Sequence, residues 1–163
     1  MAIDRGLKRP VLKNVKFVLS AAAPAQFPES AWPEVAFAGR SNVGKSSLIN
    51  ALLGQKKLAK VSREPGRTRQ INFFAINEAF HLVDLPGYGF ARAPKSVLAT
   101  WQSLMLGYIE RREALAACVL LLDLRRAPSE EDLAVVDLLR SGGRPLLVVG
   151  TKADKLSGQQ RQK

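Results

Sequence analysis

From residue 34 onward, apolar runs that read as strands alternate with stretches of helical spacing. Glu34 to Ala38 is a short apolar run closed by Gly39, as a buried strand is. Ser46 to Leu53 carries Leu48, Ile49, Leu52 and Leu53 at helical spacing, with Gly54 as the stop. Residues 55–69 have no periodicity, are basic and hold Pro65-Gly66, so they predict a long loop of the kind that carries function. Ile71 to Ile76 and Ala79 to Val83 predict two strands of a hairpin around Asn77-Glu78. Residues 85–94, with two Pro and two Gly, predict a second irregular loop. A helix with Ser96 as N-cap then runs to about Arg112, its apolar side carrying Val97, Leu98, Trp101, Leu104, Met105 and Ile109. Ala117 to Asp123 reads as a strand buried on both faces. Ser129 with Asp132 three residues on starts another helix, which Gly142-Gly143 ends, and Pro145 to Val149 is the next buried strand. The expected architecture is α/β: three layers, with helices on both faces of a mostly parallel sheet and the 71–83 hairpin adding one antiparallel edge strand. Lys16 to Leu19 is either an extra strand or a tether.

Composition narrows the class. The 163 residues favour one domain, with 1–32 a basic N-terminal arm and 33–163 the core. At 47% apolar and 24% charged residues the chain is an ordinary globular one, which excludes disorder and a disulfide scaffold. The longest apolar run, Ala114 to Leu122, falls far short of the roughly 20 residues of a membrane span. The lone Cys118 sits inside that run and reads as a buried apolar residue, and a cytoplasmic location is expected. The formal charge is +11, from 25 Lys and Arg against 14 Asp and Glu. The excess clusters in Arg5, Lys8, Arg9, Lys13 and Lys16, and again in Lys56, Lys57, Lys60, Arg63, Arg67 and Arg69. Clustering of this kind suits a polyanionic partner such as RNA, because counterion release from phosphates favours binding.

In doubly wound sheets ligands sit beyond the C-terminal ends of the strands, and four loops there carry chemistry. The first, Gly39-Arg40-Ser41-Asn42-Val43-Gly44-Lys45-Ser46, fits G-x-x-x-x-G-K-[ST] between a predicted strand and a predicted helix. Such a loop turns backbone N–H groups into one concavity at a helix N-terminus. Lys45 would reach the β- and γ-phosphates, and the Ser46 hydroxyl would ligate Mg²⁺. The second, Asp84-Leu85-Pro86-Gly87, ends a strand; its carboxylate can hold Mg²⁺ through water and the Gly87 N–H can approach the γ-phosphate. The third, Thr151-Lys152-Ala153-Asp154, reads the base: an aspartate there accepts both N–H donors on one edge of guanine, which adenine lacks, while the Lys152 stem lies along the base plane. The fourth, Pro65-Gly66-Arg67-Thr68-Arg69, offers a Thr that completes the Mg²⁺ shell when a γ-phosphate is present. The order of Lys45, Thr68, Asp84 and Lys152 is that of a GTPase. A P-loop kinase would want a lid with catalytic arginines, and an ATPase would lack the guanine loop.

The run Pro33 to Asn50, which includes Ser47, together with Pro65 to Gln70, Asp84 to Gly89 and Thr151 to Asp154, resembles the EngB (YihA) family of bacterial GTPases over about residues 15–158. Thr151, where most GTPases have Asn, is usual for that family. The resemblance implies a Ras-like P-loop G domain of the TrmE–Era–EngA–EngB class. It also implies a role in large ribosomal subunit assembly and a requirement in cell division and septation. The expected partners are guanine nucleotide and ribosomal RNA or a large-subunit precursor, with no membrane and the protein as a monomer. The family continues into a further strand, a short guanine loop and a last helix. The chain here is expected to lack these, with an uncovered sheet edge and no contact to guanine O6. The rival reading is an RNA-binding module with a vestigial G domain.

In many small GTPases a Gln that positions the attacking water follows the D-x-x-G glycine; here that place holds Tyr88, so slow intrinsic hydrolysis is expected. Asn42 has two readings: its side-chain carbonyl holds K⁺ beside the phosphates, as in related potassium-activated GTPases, or it only braces the loop. The first predicts faster hydrolysis in K⁺ than in Na⁺, lost in Asn42→Ala. Equal phosphate-release rates in the two salts leave the second.

Overall fold

A computed structural model describes residues 12–29, 31–55, 70–89 and 95–158. Six strands form one sheet: β1 (Val15–Ala21), β2 (Glu34–Gly39), β3 (Ile71–Ile76), β4 (Phe80–Asp84), β5 (Leu115–Asp123) and β6 (Leu146–Thr151). Their spatial order is β1-β3-β4-β2-β5-β6, with β4, β2, β5 and β6 in parallel register. The helices are α1 (Lys45–Leu52), α2 (Lys95–Arg111) and α3 (Glu130–Ser141). Among the described residues no helix is long and apolar enough to cross a membrane.

Residue alternation along the central strands makes the three layers. Ala36, Ala38, Phe73, Cys118 and Leu120 face α2 and α3, where Met105, Tyr108, Ile109 and Leu139 fill the core. The intervening Phe37, Phe74, Val119 and Leu121 face the other side, where Ile49 of α1 packs. Helix α3 starts and stops for local reasons. Ser129 caps α3 in a reciprocal box with Asp132, and Gly142 follows its end. Helix α2 begins at Lys95, so Ser96 lies within it and not at its N-cap.

Two further sequence expectations are corrected. The antiparallel strand of the hairpin, β3, is not at the edge, because Val15–Ala21 forms a strand that pairs outside it. The Asn77-Glu78 turn explains this. Both residues have positive φ, as a two-residue hairpin turn requires. Asn77 Oδ1 then accepts the Lys13 and Asn14 N–H groups at 3.0 and 3.1 Å and seats the entry to β1. The last strand, β6, is not buried: Leu147 is 61% and Val148 51% exposed, since β6 is the edge of the described sheet.

The N-terminal end of the parallel strands holds a buried charge. Glu34, at the start of β2, is fully buried and accepts from Arg112 at 2.6 and 3.1 Å and from the Tyr108 hydroxyl at 2.8 Å. Arg112 also donates to the Pro28 carbonyl at 2.8 Å and lies over the Phe27 ring, which ties the segment before β2 to the end of α2. His81 sits beside this pair, stacked near Trp32, with Nδ1 3.7 Å from Glu34 and no hydrogen-bond partner among the described residues.

Burial, aided by Arg112 and opposed by Glu34, holds the His81 imidazole below its ordinary value of 6.5. The unfolded chain therefore binds the proton more readily. The contribution is fully present above about pH 6.5 and is lost as pH falls through the depressed folded value. Urea unfolding at stepped pH should show stability declining below pH 6.5, with a shallower decline in His81→Phe. Equal slopes in the two proteins would count against this origin.

Candidate nucleotide site

Three of the four chemical loops meet beyond the C-terminal ends of the parallel strands. The first leaves β2 at Gly39 and enters α1 at Lys45. A Cβ on Gly39 would stand 2.7 Å from Val43 Cγ1 and 3.3 Å from Leu121 Cβ, so only glycine lets the loop fold back onto the sheet. Asn42 at φ 62° and Gly44 at φ 107° take left-handed conformations that reverse the chain. Gly44 occupies the N-cap position and no described side chain caps the helix, so its first N–H groups, at Lys45, Ser46 and Ser47, are presented to whatever anion enters. The first turn contains no acidic residue to compete for them.

The second loop follows β4. Its Asp84 is 4% exposed and carries the Lys45 ammonium on Oδ1. The pairing places a hard carboxylate and a cation at one point, next to the start of α1. Leu85 is fully buried, and its N–H donates to the Phe37 carbonyl at 3.0 Å, which pins the D-x-x-G segment to β2. Pro86 presents its carbonyl to the Trp101 indole at 3.4 Å. Gly87 runs so close to the first loop that a Cβ there would lie 3.3 Å from the Ser41 nitrogen.

The third loop follows β6 and is fastened to the first. The Thr151 hydroxyl shares its proton between the Val43 carbonyl at 2.9 Å and the Leu122 carbonyl at 3.1 Å. Lys152, left-handed at φ 60°, sends its ammonium to the Asn42 carbonyl at 2.8 Å and to Asp123 Oδ2 at 3.0 Å. Ala153 and Asp154 form a single 3-10 turn, with the Asp154 carboxylate exposed beside Lys155. Asp123 went unnoticed in the sequence, although it too ends a strand. Arg125 holds it by two guanidinium hydrogen bonds at 3.0 and 2.8 Å, and these, with Lys152, keep its carboxyl well below the ordinary range despite opposing desolvation. Pro65, Gly66, Arg67 and Thr68 lie outside the described residues, as do Arg5, Lys8 and Arg9 and the basic residues between Lys56 and Arg69. Tyr88 turns away from Lys45 and is described below.

A parallel sheet whose strand ends carry a glycine-bounded anion cradle, a lysine–aspartate pair and an aspartate-bearing third loop defines a P-loop GTPase. A family profile described as 50S ribosome-binding GTPase matches residues 34–152. Probable GTP-binding proteins EngB from Geobacter sp. and Halothermothrix orenii are 50% and 51% identical over 93% of this chain, covering 71% and 76% of their own lengths. That of Syntrophus aciditrophicus is 54% identical over 88% of this chain and 74% of its own. Among solved structures, a probable GTP-binding protein EngB superposes with TM-score 0.65 at 32% identity, covering 78% of this chain and 75% of that one. Aquifex aeolicus Era bound to GDP.AlF4⁻ superposes with TM-score 0.59 at 27% identity over 78% of this chain and 43% of that one. The chain belongs to the EngB family of GTP-binding proteins, and it is a GTPase that binds guanine nucleotide.

The seam between the first and third loops generates a prediction. Thr151→Val keeps the shape but leaves the Val43 carbonyl without its donor, a loss worth about 1 kcal/mol. GDP release, followed by fluorescence, should quicken about fivefold, the factor that energy carries. An unchanged release rate would mean that the seam does not hold the nucleotide.

Proposed function

We propose that the protein is a guanine-nucleotide switch in assembly of the large ribosomal subunit, with slow hydrolysis in isolation. The observation that carries the site reading is the junction of the phosphate loop and the base loop, Thr151 and Lys152 on Val43 and Asn42. It fastens the loop that bears Asp154 to the glycine-bounded loop after β2, which supports a reading in which the two share one nucleotide.

In this reading Gly39 to Ser47 wraps the phosphates and Lys45 leaves Asp84 for the β- and γ-phosphates as the nucleotide enters. Asp84 and the Ser46 hydroxyl form a hard-oxygen set that suits Mg²⁺, an ion usually held by one or two protein oxygens together with phosphates. When bound, Mg²⁺ supplies neutralisation of the charge that develops in phosphoryl transfer. Thr68, in the 55–69 segment, would add a further oxygen to that set. Gly87 offers its N–H to the γ-phosphate, Asp154 reads the guanine edge and Lys152 flanks the base. Exchange between Asp84 and phosphate keeps the Lys45 ammonium paired in either state, which avoids the cost of an isolated charge.

The ribosomal partner is supported by the 50S ribosome-binding description of the matched family and by the +11 charge, concentrated in the arm and in the 55–69 loop. That segment also bears Thr68, so nucleotide state would gate its contact with RNA. The requirement in cell division and septation follows as a consequence of impaired ribosome supply.

Titration with fluorescent GTP, GDP and ATP should give tight binding of the first two and none of the third, and Asp154→Asn should move preference toward xanthine nucleotides. ATP binding comparable to GTP would sink the base-reading assignment. Affinity for large-subunit RNA should fall steeply with salt and differ between the GTP and GDP forms. Identical affinities in both forms would remove the switch.

A further inference from the structure

Tyr88 stands where a water-positioning side chain would be sought, yet it is 5% exposed and its ring lies against Trp101 of α2. Its hydroxyl donates to Asp132 Oδ1 at 2.8 Å. Asp132 is 2% exposed and belongs to the cap of α3. The other oxygen, Oδ2, accepts the Ser129 N–H and hydroxyl, both at 2.8 Å. One carboxylate therefore starts α3 with one oxygen and grips Tyr88 with the other.

The same residue is bound on its main chain to the phosphate loop. The Ser41 N–H donates to the Tyr88 carbonyl at 2.9 Å, and Arg40 and Tyr88 form an isolated parallel bridge. Arg40 closes the ring, donating to the Ser129 hydroxyl at 3.2 Å and pairing with Glu131 at 2.8 Å. Gly87 lies immediately upstream, in near contact with Ser41. Burial and Asp132 raise the phenol well above its ordinary value, so it remains a donor throughout the neutral range.

We propose that Tyr88, pinned on Asp132, is a positioning residue for the triphosphate state: it holds Gly87 against the phosphate loop so that the Gly87 N–H meets the γ-phosphate. From its seat on Asp132 the hydroxyl acts through the main chain. This rests on the assignment of the Gly87 N–H to the γ-phosphate. A diphosphate presents no γ-phosphate, so its binding is indifferent to the pin.

The test uses the full chain. Tyr88→Phe keeps the ring and its contact with Trp101 and removes only the donor. Affinity for a non-hydrolysable GTP analogue should fall about three- to tenfold, the usual factor for one hydrogen bond. Single-turnover hydrolysis should slow in step, while GDP affinity stays within about twofold. Parallel losses for analogue and GDP indicate a merely structural tyrosine and overturn the proposal, as does no loss for either. Asp132→Ser, which keeps a hydroxyl near the Ser129 cap but is too short to reach the phenol, should reproduce the same selectivity if the phenylalanine variant folds poorly. Gly87→Ala separates the two layers of the argument. A selective loss there without one in Tyr88→Phe defeats the pin alone. An unchanged GDP-to-analogue ratio in Gly87→Ala defeats the γ-phosphate assignment and the pin with it.

Discussion

The site depends on the register of parallel strands. Phe37 of β2 pairs with Asp84 of β4 on one side and with Val119 of β5 on the other, and Asp123 of β5 pairs with Thr151 of β6. Three loops distant in sequence therefore leave the sheet at one end. A slip of one residue would exchange the faces of the alternating apolar residues and expose half of each core cluster, so burial itself enforces the alignment. The phosphate loop, the aspartate after β4 and the base loop inherit their spacing from that packing.

Charge is arranged on this frame in two opposite ways. At the C-terminal ends, Lys45 and Lys152 are each paired with a carboxylate, Asp84 and Asp123, within reach of main-chain carbonyls and of entering ligand. The Lys152 side chain is the more open of these cations, 28% exposed against 11% for Lys45. At the N-terminal ends, Glu34 is sealed beneath Arg112 and Tyr108, where an exchange of partners would strand a charge in the core. The first arrangement suits binding and the second suits fastening, and the length of the strands keeps them apart.

Helix α3 braces the loops at the C-terminal ends. Its cap residue Asp132 receives Tyr88 from the D-x-x-G segment, while Ser129 and Glu131 receive Arg40 from the phosphate loop. The helix is thus a third support for loops that the sheet alone would hold only at their roots.

Much was legible in the chain because it is local. The glycines, Lys45 and Ser46 sit within one turn between a strand and a helix, and Ser129 and Asp132 announce the cap of α3 by spacing alone. The hairpin turn was equally readable, since Asn77 tolerates a positive φ. What lay hidden was non-local. Val15–Ala21 could be judged a strand only once β3 offered it an edge, and Pro145 to Val149 looked buried because an apolar run does not state whether it has one neighbour or two. Tyr88 invited comparison with a catalytic position until folding brought Asp132, forty-four residues on, to its hydroxyl. Asp123 likewise gained its role from Lys152 across the sheet. Sequence alone determined which groups can bind phosphate, metal and base, for that chemistry belongs to residue types and short spacings. The tertiary structure decided which of them meet, because contact between distant residues is set by packing and register that no short window contains.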